Sequence, residues 1–304
     1  MGLLSVITVN YQQATHTVDF LRSVARHAGE ENMEVIVVDN GATDDNCDYF
    51  RKVFPSIVYI HSKENLGFAG GNNLGIQHAK GDYLLFLNND TEITKGFVQA
   101  LREELDRNPA IGLLSPLILY DEEKQKIQYA GYTPMNYFTG RNQGIGSMED
   151  DRGQYDHVTT ETGYCHGAAM ICRRKDLERV GLMPEHFFLY YEELDWCEMF
   201  KRAGLKIGFT GKAKIYHKES MSVGKESPIK TYFMVRNRWL FIRRNAKPLQ
   251  ACIFSCYYLI VAIPVLIVKY LLKGKLKLVS AALRGVWWNI THAKNSKDLG
   301  FTIA

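Results

Sequence analysis

Apolar residues in this chain gather in short unbroken runs rather than long periodic stretches. Leu3 to Val9, Val35 to Val38, Ile57 to Ile60 and Tyr83 to Leu87 are too short for helices and too uniformly apolar for strands with one wet face. Such runs predict strands covered on both faces of a parallel sheet. Helical spacing fills the gaps. Thr15 is placed to cap a helix with Val18, Leu21, Val24 and Ala25 on one face. A short helix ends before Pro55, another runs from the Asn65–Asn73 segment to about Ala79, and a third from Thr94 to about Arg107. Alternation of this kind predicts an α/β doubly wound half over residues 1–119.

The pattern loosens after Leu119, and residues 120–160, rich in Gly, Asp, Asn and Tyr, read as a hairpin or loop region. A strand at Gly167–Arg173 follows, then Phe187–Cys197 feeding a helix that ends at Gly204. Two short strands around Ile207 and Ile215 lead to His217. Ala251 to Val268 is an 18-residue apolar run containing Pro264, at the lower limit for crossing a bilayer. Lys269, Lys273, Lys275 and Lys277 follow it, and then Leu278–Ile290 with Trp287 and Trp288. Flanking lysines and tryptophans suit a membrane interface, and the mid-run proline favours a re-entrant or in-plane pair over a span. A buried core helix beside a surface helix is the alternative.

Charge sharpens that division. Residues 225–304 hold 14 Lys+Arg and 2 Asp+Glu, whereas residues 1–224 hold 23 and 31. The expected organisation is a catalytic domain at 1–224, with halves at about 1–119 and 120–224, and a basic helical extension at 225–304. A basic tail seeks a polyanion; its apolar core argues for the inner leaflet of a membrane and against nucleic acid. The six cysteines show no CxxC pair or zinc spacing and read as reduced thiols. The first residues lack a basic segment and a cleavage site, so they read as a strand rather than a signal peptide, and a cytoplasmic location follows.

Two apolar runs end in carboxylates and amides: Asp39-Asn40, and Asn88-Asn89-Asp90. Ligands bind at the carboxyl ends of parallel strands, so both are candidate nucleotide and metal positions; an Asn/Asp turn is the plain reading of the second. Asn65-Leu66-Gly67-Phe68-Ala69-Gly70-Gly71-Asn72-Asn73 offers backbone N–H groups for phosphate or simply a Gly-rich turn, and matches neither a dinucleotide fingerprint nor a P-loop. Glu192, Glu193 and Asp195 are candidates for a general base or for helix-start acids. His217 is a metal ligand or a structural histidine.

Taken together, Val6–Tyr11, Val37–Asn40, Asn65–Asn73, Leu85–Asp90, Glu192–Trp196 and His217 stand in the order and spacing of a known series. Over about residues 3–245 the chain resembles the family 2 glycosyltransferases, most of all their bacterial rhamnosyltransferases. The resemblance implies the GT-A fold, a Rossmann-like mixed sheet flanked by helices. It implies that Thr8, Asn10, Tyr11, Asp39 and Asn40 line the nucleotide, with Asp39 accepting from the base N3–H. Asn65, Gly67, Gly71, Asn73, Asn88 and Asn89 would serve the rest of the donor. Asp90 and His217 would hold Mg²⁺ or Mn²⁺ on its diphosphate. Glu193 would be the base, Glu192 its understudy, and Asp195 an orienting residue. Asn88 stands where the family's metal motif usually has Asp, and Gly71-Asn72 where relatives carry Arg, so Arg236 or Arg238 is expected to help neutralise the diphosphate. The implied activity is inverting transfer of a sugar, from dTDP-L-rhamnose first and a UDP-hexose next, to a saccharide, lipid-linked by virtue of the tail, in cell-surface polysaccharide assembly. Two other classes compete: a sugar-1-phosphate nucleotidylyltransferase, which lacks its basic Gly-rich loop here, and a non-catalytic nucleotide-binding scaffold.

Overall fold

The computed structural model describes residues 2–27, 32–218 and 226–301. Strand and helix alternate first: β1 (Leu4–Asn10), α1 (Ala14–His27), β2 (Met33–Asn40), α2 (Cys47–Arg51), β3 (Val58–Ser62), α3 (Gly67–His78), β4 (Tyr83–Leu87), β5 (Thr91–Ile93) and α4 (Phe97–Arg107). Next come β6 (Ile111–Tyr120), β7 (Ile127–Tyr129), β8 (Thr159–Glu161), β9 (Ala169–Arg173), α5 (Arg174–Val180), α6 (Glu192–Arg202) and β10 (Lys206–His217). Last are α7 (Pro228–Asn245), α8 (Pro248–Tyr257), α9 (Ile263–Leu272) and α10 (Leu276–Thr291).

All strands join one sheet in the order β3-β2-β1-β4-β9-β6-β10-β5, with β7 on β6 and β8 on β10. The pairs among β1 to β4 are parallel. β9 runs antiparallel to both β4 and β6, so the sheet is mixed. The chain steps outward from β1 to β3 and then returns across β1 to β4. The direction of winding reverses there, and the crevice at the carboxyl ends of these strands is the natural ligand edge.

Both faces are covered, which is why the strands are apolar throughout. Val6, Val37 and Leu85 pack with Leu21 of α1, Phe50 of α2 and Leu101 of α4. Their neighbours Ile7, Val38 and Phe86 pack on the other side with Ile76 of α3, Trp196 of α6 and Phe241 of α7. The expected boundary at 224/225 lies outside the described residues, and α7 beyond it shares this second core.

Several local expectations are corrected. α1 begins at Ala14, so Thr15 lies inside its first turn and does not cap it; Asn10 Oδ1 instead accepts from the Gln13 N–H (3.3 Å) and from Thr17 Oγ1 (2.9 Å). α4 starts at Phe97, after Gly96 at φ +75°. The two strands expected around Ile207 and Ile215 are one, β10, with a register shift between Thr210 and Lys214. Within 120–160, bridges at Lys126/Asp150, Tyr132/Gly144 and Asn136/Arg141 make an irregular hairpin. Pro264 does not break its helix: α8 and α9 continue each other through a single π turn, Tyr258–Ala262, and the proline falls at the start of α9. A π turn just before a proline leaves room for its missing N–H.

Helix α3 lies close on the sheet, and a methyl at Gly75 would meet Ile7 Cγ2 at 2.5 Å. Gly75→Ala should therefore cost about 1–3 kcal/mol, measured by urea unfolding; an unchanged midpoint would show that α3 has slack against β1.

Candidate active site

The carboxyl ends of β1, β2 and β4 converge on a buried polar network. Asp39 Oδ1 accepts from Asn10 Nδ2 (2.7 Å), and Oδ2 accepts from Asn46 Nδ2 and the Tyr59 hydroxyl, both at 2.8 Å. Asn89 Nδ2 donates to Thr17 Oγ1 (2.9 Å) and Asn10 Oδ1 (3.3 Å). Asn10 and Asn89 are thus framework beneath the crevice. Thr8 Oγ1 is buried beside them without a partner, and Tyr11 lies half-buried just past the strand end.

The Gly-rich segment is corrected more sharply. Asn40 Oδ1 accepts from the Leu66 N–H (2.8 Å), Asn65 Oδ1 from the Gly67 N–H (3.0 Å), and Phe188 O from the Phe68 N–H (2.9 Å). The Leu66, Gly67 and Phe68 N–H groups at the start of α3 are therefore engaged within the protein. Gly71 is small because Val9 packs on it: a methyl there would lie 2.8 Å from Val9 Cγ1. Asn73 accepts from the Met183 N–H (3.0 Å) and donates to Met183 O (2.9 Å) and Glu185 Oε1 (2.8 Å), tying down the loop after α5.

Asp90 and His217 meet across the β4–β5 turn and the end of β10, with Asp90 Oδ1 3.3 Å from His217 Nε2. Nδ1 of the same ring sits 2.8 Å from Gln128 Oε1, an acceptor, so in the neutral imidazole the proton belongs on Nδ1. Two lone pairs then face one another, and Asp90 Oδ1 is a buried oxygen with no hydrogen-bond partner. A cation between oxygen and nitrogen resolves that arrangement, so these residues fit Mg²⁺ or Mn²⁺. Among the described residues there is no cluster of three or more His, Cys, Asp or Glu side chains able to hold a metal, so donor oxygens must complete the shell. Asn88 Nδ2 stands 3.5 Å from His217 Nε2.

A row of contacts leads from this pair to the acids of α6. The His217 ring meets His166 edge to face, 5.8 Å between centroids. Burial, and then the neighbouring His217, push the His166 ring down to about 3, so it is neutral. Gly167 follows, and a methyl on it would lie 3.8 Å from Glu193 Cγ and 3.7 Å from Phe68 Cζ. Burial raises Glu193 to about 7, against the opposing pull of backbone N–H groups at the helix start. Glu192 is more deeply buried, its Oε2 unpartnered; burial first and Glu193 second push it well above the usual carboxylate range. Gln128, His166 and Gly167 were not anticipated from the sequence.

Asp195 is not part of that row. It is fully buried, accepts from Arg244 Nε (3.1 Å) and Nη2 (2.9 Å) and from Asn245 Nδ2 (2.6 Å), and so locks α6 to α7. Arg236 is also corrected. Its guanidinium is buried 3.8 Å from the Trp288 ring centroid and donates to His186 O (2.9 Å), so it is structural and unavailable to a diphosphate. Arg238 donates to Thr139 O and Gly140 O. The loop between these anchors is strained: Phe188, Tyr190 and Tyr191 take φ of 64°, 68° and 75°. Bulky residues there cost about 1–3 kcal/mol each, a cost that persists when surrounding structure enforces it and that gathers at functional sites.

The family model of glycosyl transferase family 2 matches residues 5–181, more than half of the chain and all of the donor-side strand ends. The chain belongs to glycosyl transferase family 2. It is similar to the low-salt glycan biosynthesis hexosyltransferase Agl10 of Haloferax volcanii, at 28% identity over 78% of this chain and 74% of the relative. It is also similar to the N-acetylglucosaminyl-diphospho-decaprenol L-rhamnosyltransferase of Mycobacterium tuberculosis (24%, covering 74% and 78%) and to the dTDP-rhamnosyl transferase RfbF of Shigella flexneri (24%, 75% and 77%). Two solved structures share the GT-A fold. One is GalNAc-T7 with UDP, GalNAc and Mn²⁺ (TM-score 0.63, 13% identity), which overlaps 87% of this chain and only 58% of its own. The other is the mannosyltransferase PcManGT of Pyrobaculum calidifontis with GDP-Man and Mn²⁺ (TM-score 0.58, 14% identity, covering 96% and 76%).

Removing one side of the Asp195–Arg244 pair strands a buried charge. Arg244→Leu should lose about 3–5 kcal/mol in urea unfolding, and Asp195→Leu/Arg244→Leu should lose less than the single variant. Equal losses would mean that the pair is not what fixes α6.

Proposed function

We propose that this glycosyltransferase is inverting, takes dTDP-L-rhamnose as donor, and acts on a hydroxyl of a lipid-diphosphate-linked saccharide in cell-surface polysaccharide assembly. The observation that supports the reading is the row Asp90–His217–His166–Gly167–Glu193, which we read as running from a leaving-group end to a base end. The two rhamnosyltransferase relatives favour the donor, and the hexosyltransferase relative makes a UDP-hexose the second choice. Family membership sets aside the nucleotidylyltransferase and scaffold readings.

In this mechanism the base of the donor nucleotide lies over β1 and β2, where its N3–H takes the place of Asn46 at Asp39 Oδ2. Asp90 Oδ1 and His217 Nε2 would hold Mg²⁺ or Mn²⁺, which supplies Lewis acidity to the leaving diphosphate when bound. Gln128 keeps the His217 proton on Nδ1, away from that edge. Gly167 leaves room for the acceptor sugar beside Glu193. Glu193 removes the proton from the acceptor hydroxyl as its oxygen attacks the anomeric carbon from the side opposite the diphosphate, inverting it. A base near 7 suits the task, because it is ionised at working pH yet still able to hold the proton. Burial works more strongly against the charge on Glu192, so Glu193 is the member of the pair assigned to the base role.

Within the helical stretch Pro248–Leu272 an 18-residue window reaches a mean hydropathy of 2.5, with only 17% of it buried. Ile260, Val265 and Leu272 on it, and Trp287 on α10, are well exposed, beside Lys269, Lys273 and Lys277. This supports a peripheral or monotopic seat on the inner face of the plasma membrane, where a lipid-linked acceptor resides.

Turnover is read as dTDP released from dTDP-L-rhamnose with polyprenyl-diphosphate-linked N-acetylglucosamine and Mn²⁺. No release from this donor or from a UDP-hexose would sink the reading. Glu193→Gln should lower kcat by about 10²–10⁴-fold while dTDP binding by calorimetry is kept. For the wild type, kcat should rise with pH through about 7 as the Glu193 carboxyl ionises; a flat profile would remove Glu193 from the role. Vesicles containing anionic phospholipid should float the protein, and Ile260→Asp/Val265→Asp/Leu272→Asp should weaken that association at least about tenfold, or 1.4 kcal/mol; undiminished flotation would place the contact elsewhere.

A further inference from the structure

We propose that Asn237, on α7, is a positioning residue for catalysis: its carboxamide holds the loop before α6 in the shape that presents Glu193. The inference rests on the reading of Glu193 as the base. Asn237 is fully buried, and its Nδ2 donates to three backbone carbonyls of one loop: Phe187 O (2.9 Å), Leu189 O (2.8 Å) and Tyr190 O (2.9 Å). The amide orientation is fixed by chemistry. Oδ1 accepts from Arg236 Nη1 at 2.6 Å, a group that can only donate, so the NH₂ must face the carbonyls. Arg236 extends the grip through its bond to His186 O and rests on the Trp288 ring of α10.

The loop is one that would not keep this shape unaided. Phe188, Tyr190 and Tyr191 all have positive φ, and Tyr191 is the residue that caps α6, with Glu192 and Glu193 next in the chain. The loop also touches the donor side, since Phe188 O accepts from the Phe68 N–H. Loss of the Asn237 amide removes the shared donor from three loop carbonyls, of which, among the described residues, Phe187 O alone keeps a second one, the Leu189 N–H. The backbone can then relax toward ordinary φ, and the Glu193 carboxyl swings off the Gly167 opening. Neither the donor strand ends nor the Asp90–His217 pair depends on this amide.

The test compares Asn237→Ala with wild type, using circular dichroism for folding, calorimetry with dTDP for the donor site, hydrogen exchange for the 187–191 amides, and the kcat–pH profile with the substrates above. The expected result is a folded variant with dTDP affinity within about twofold of wild type, faster exchange confined to the loop, and kcat lower by about 10–100-fold. Its acid limb should move below 7 as Glu193 gains solvent. Asn237→Asp, which turns a lone pair toward the carbonyls, should be at least as impaired. Wild-type kcat and an unmoved limb in folded Asn237→Ala overturn the proposal, as does a kcat loss matched by an equal loss of dTDP affinity. Full turnover in Glu193→Gln would instead defeat the base assignment by itself, and accelerated exchange of 187–191 in Asn237→Ala would still establish the tether.

Discussion

A sheet that is covered on both faces has only its edges and strand ends for polar side chains. In this protein the rule is obeyed along β1, β2 and β4, where Val6, Ile7, Val35 to Val38 and Leu84 to Phe86 are buried and apolar, and whose carboxyl ends carry Asn10, Asp39, Asn40 and the Asn88–Asp90 turn. The polar side chains of these strands are displaced to that rim. The buried amide network there is not the site itself. It holds the strand ends in register, so that the few groups left without partners, Thr8 Oγ1 and Asp90 Oδ1 among them, stand at defined places.

The first half of the fold was legible because each strand is a local statement: four or five apolar residues and then a polar stop. The candidate site was legible only where local sequence decides the outcome. Asp90 and His217, far apart in sequence, do meet at 3.3 Å, and Glu193 does stand at the start of a helix. Gly67, Gly71 and Asn73 looked like a phosphate cradle, but Val9, Phe188 and Met183, distant in sequence, claim the space and the hydrogen bonds. Arg236 failed for the same reason: a charge count cannot see that Trp288 lies flat against it. Gln128 lies in β7, a strand of three residues, and His166 in an irregular segment, so no periodicity singles out either residue. The continuity of the helical stretch through Pro264 depends on one π turn, which has no sequence signature.

The two halves of the crevice are built differently. The donor side is rigid by construction, with strand ends, amides and tight glycine packing. The base side is assembled from outside the sheet: α6 is clamped through Asp195 to Arg244 and Asn245, and the loop before it through Asn237 and Arg236. All four of those partners lie on α7, whose other neighbour is α10. Helices that expose apolar surface and helices that support the acids are therefore one packed unit, and the base side is the part of the crevice mechanically closest to that surface.

That arrangement has a temporal side. A chain synthesised as far as His217 already contains every strand of the sheet, the Asp90–His217 pair and Glu193 itself. It does not yet contain Arg236, Asn237, Arg244 or Asn245. A nascent chain can therefore carry the whole sheet while the loop at 187–191 still lacks the partners that impose its shape. Those partners arrive with α7, and the contact of Arg236 with Trp288 only with α10.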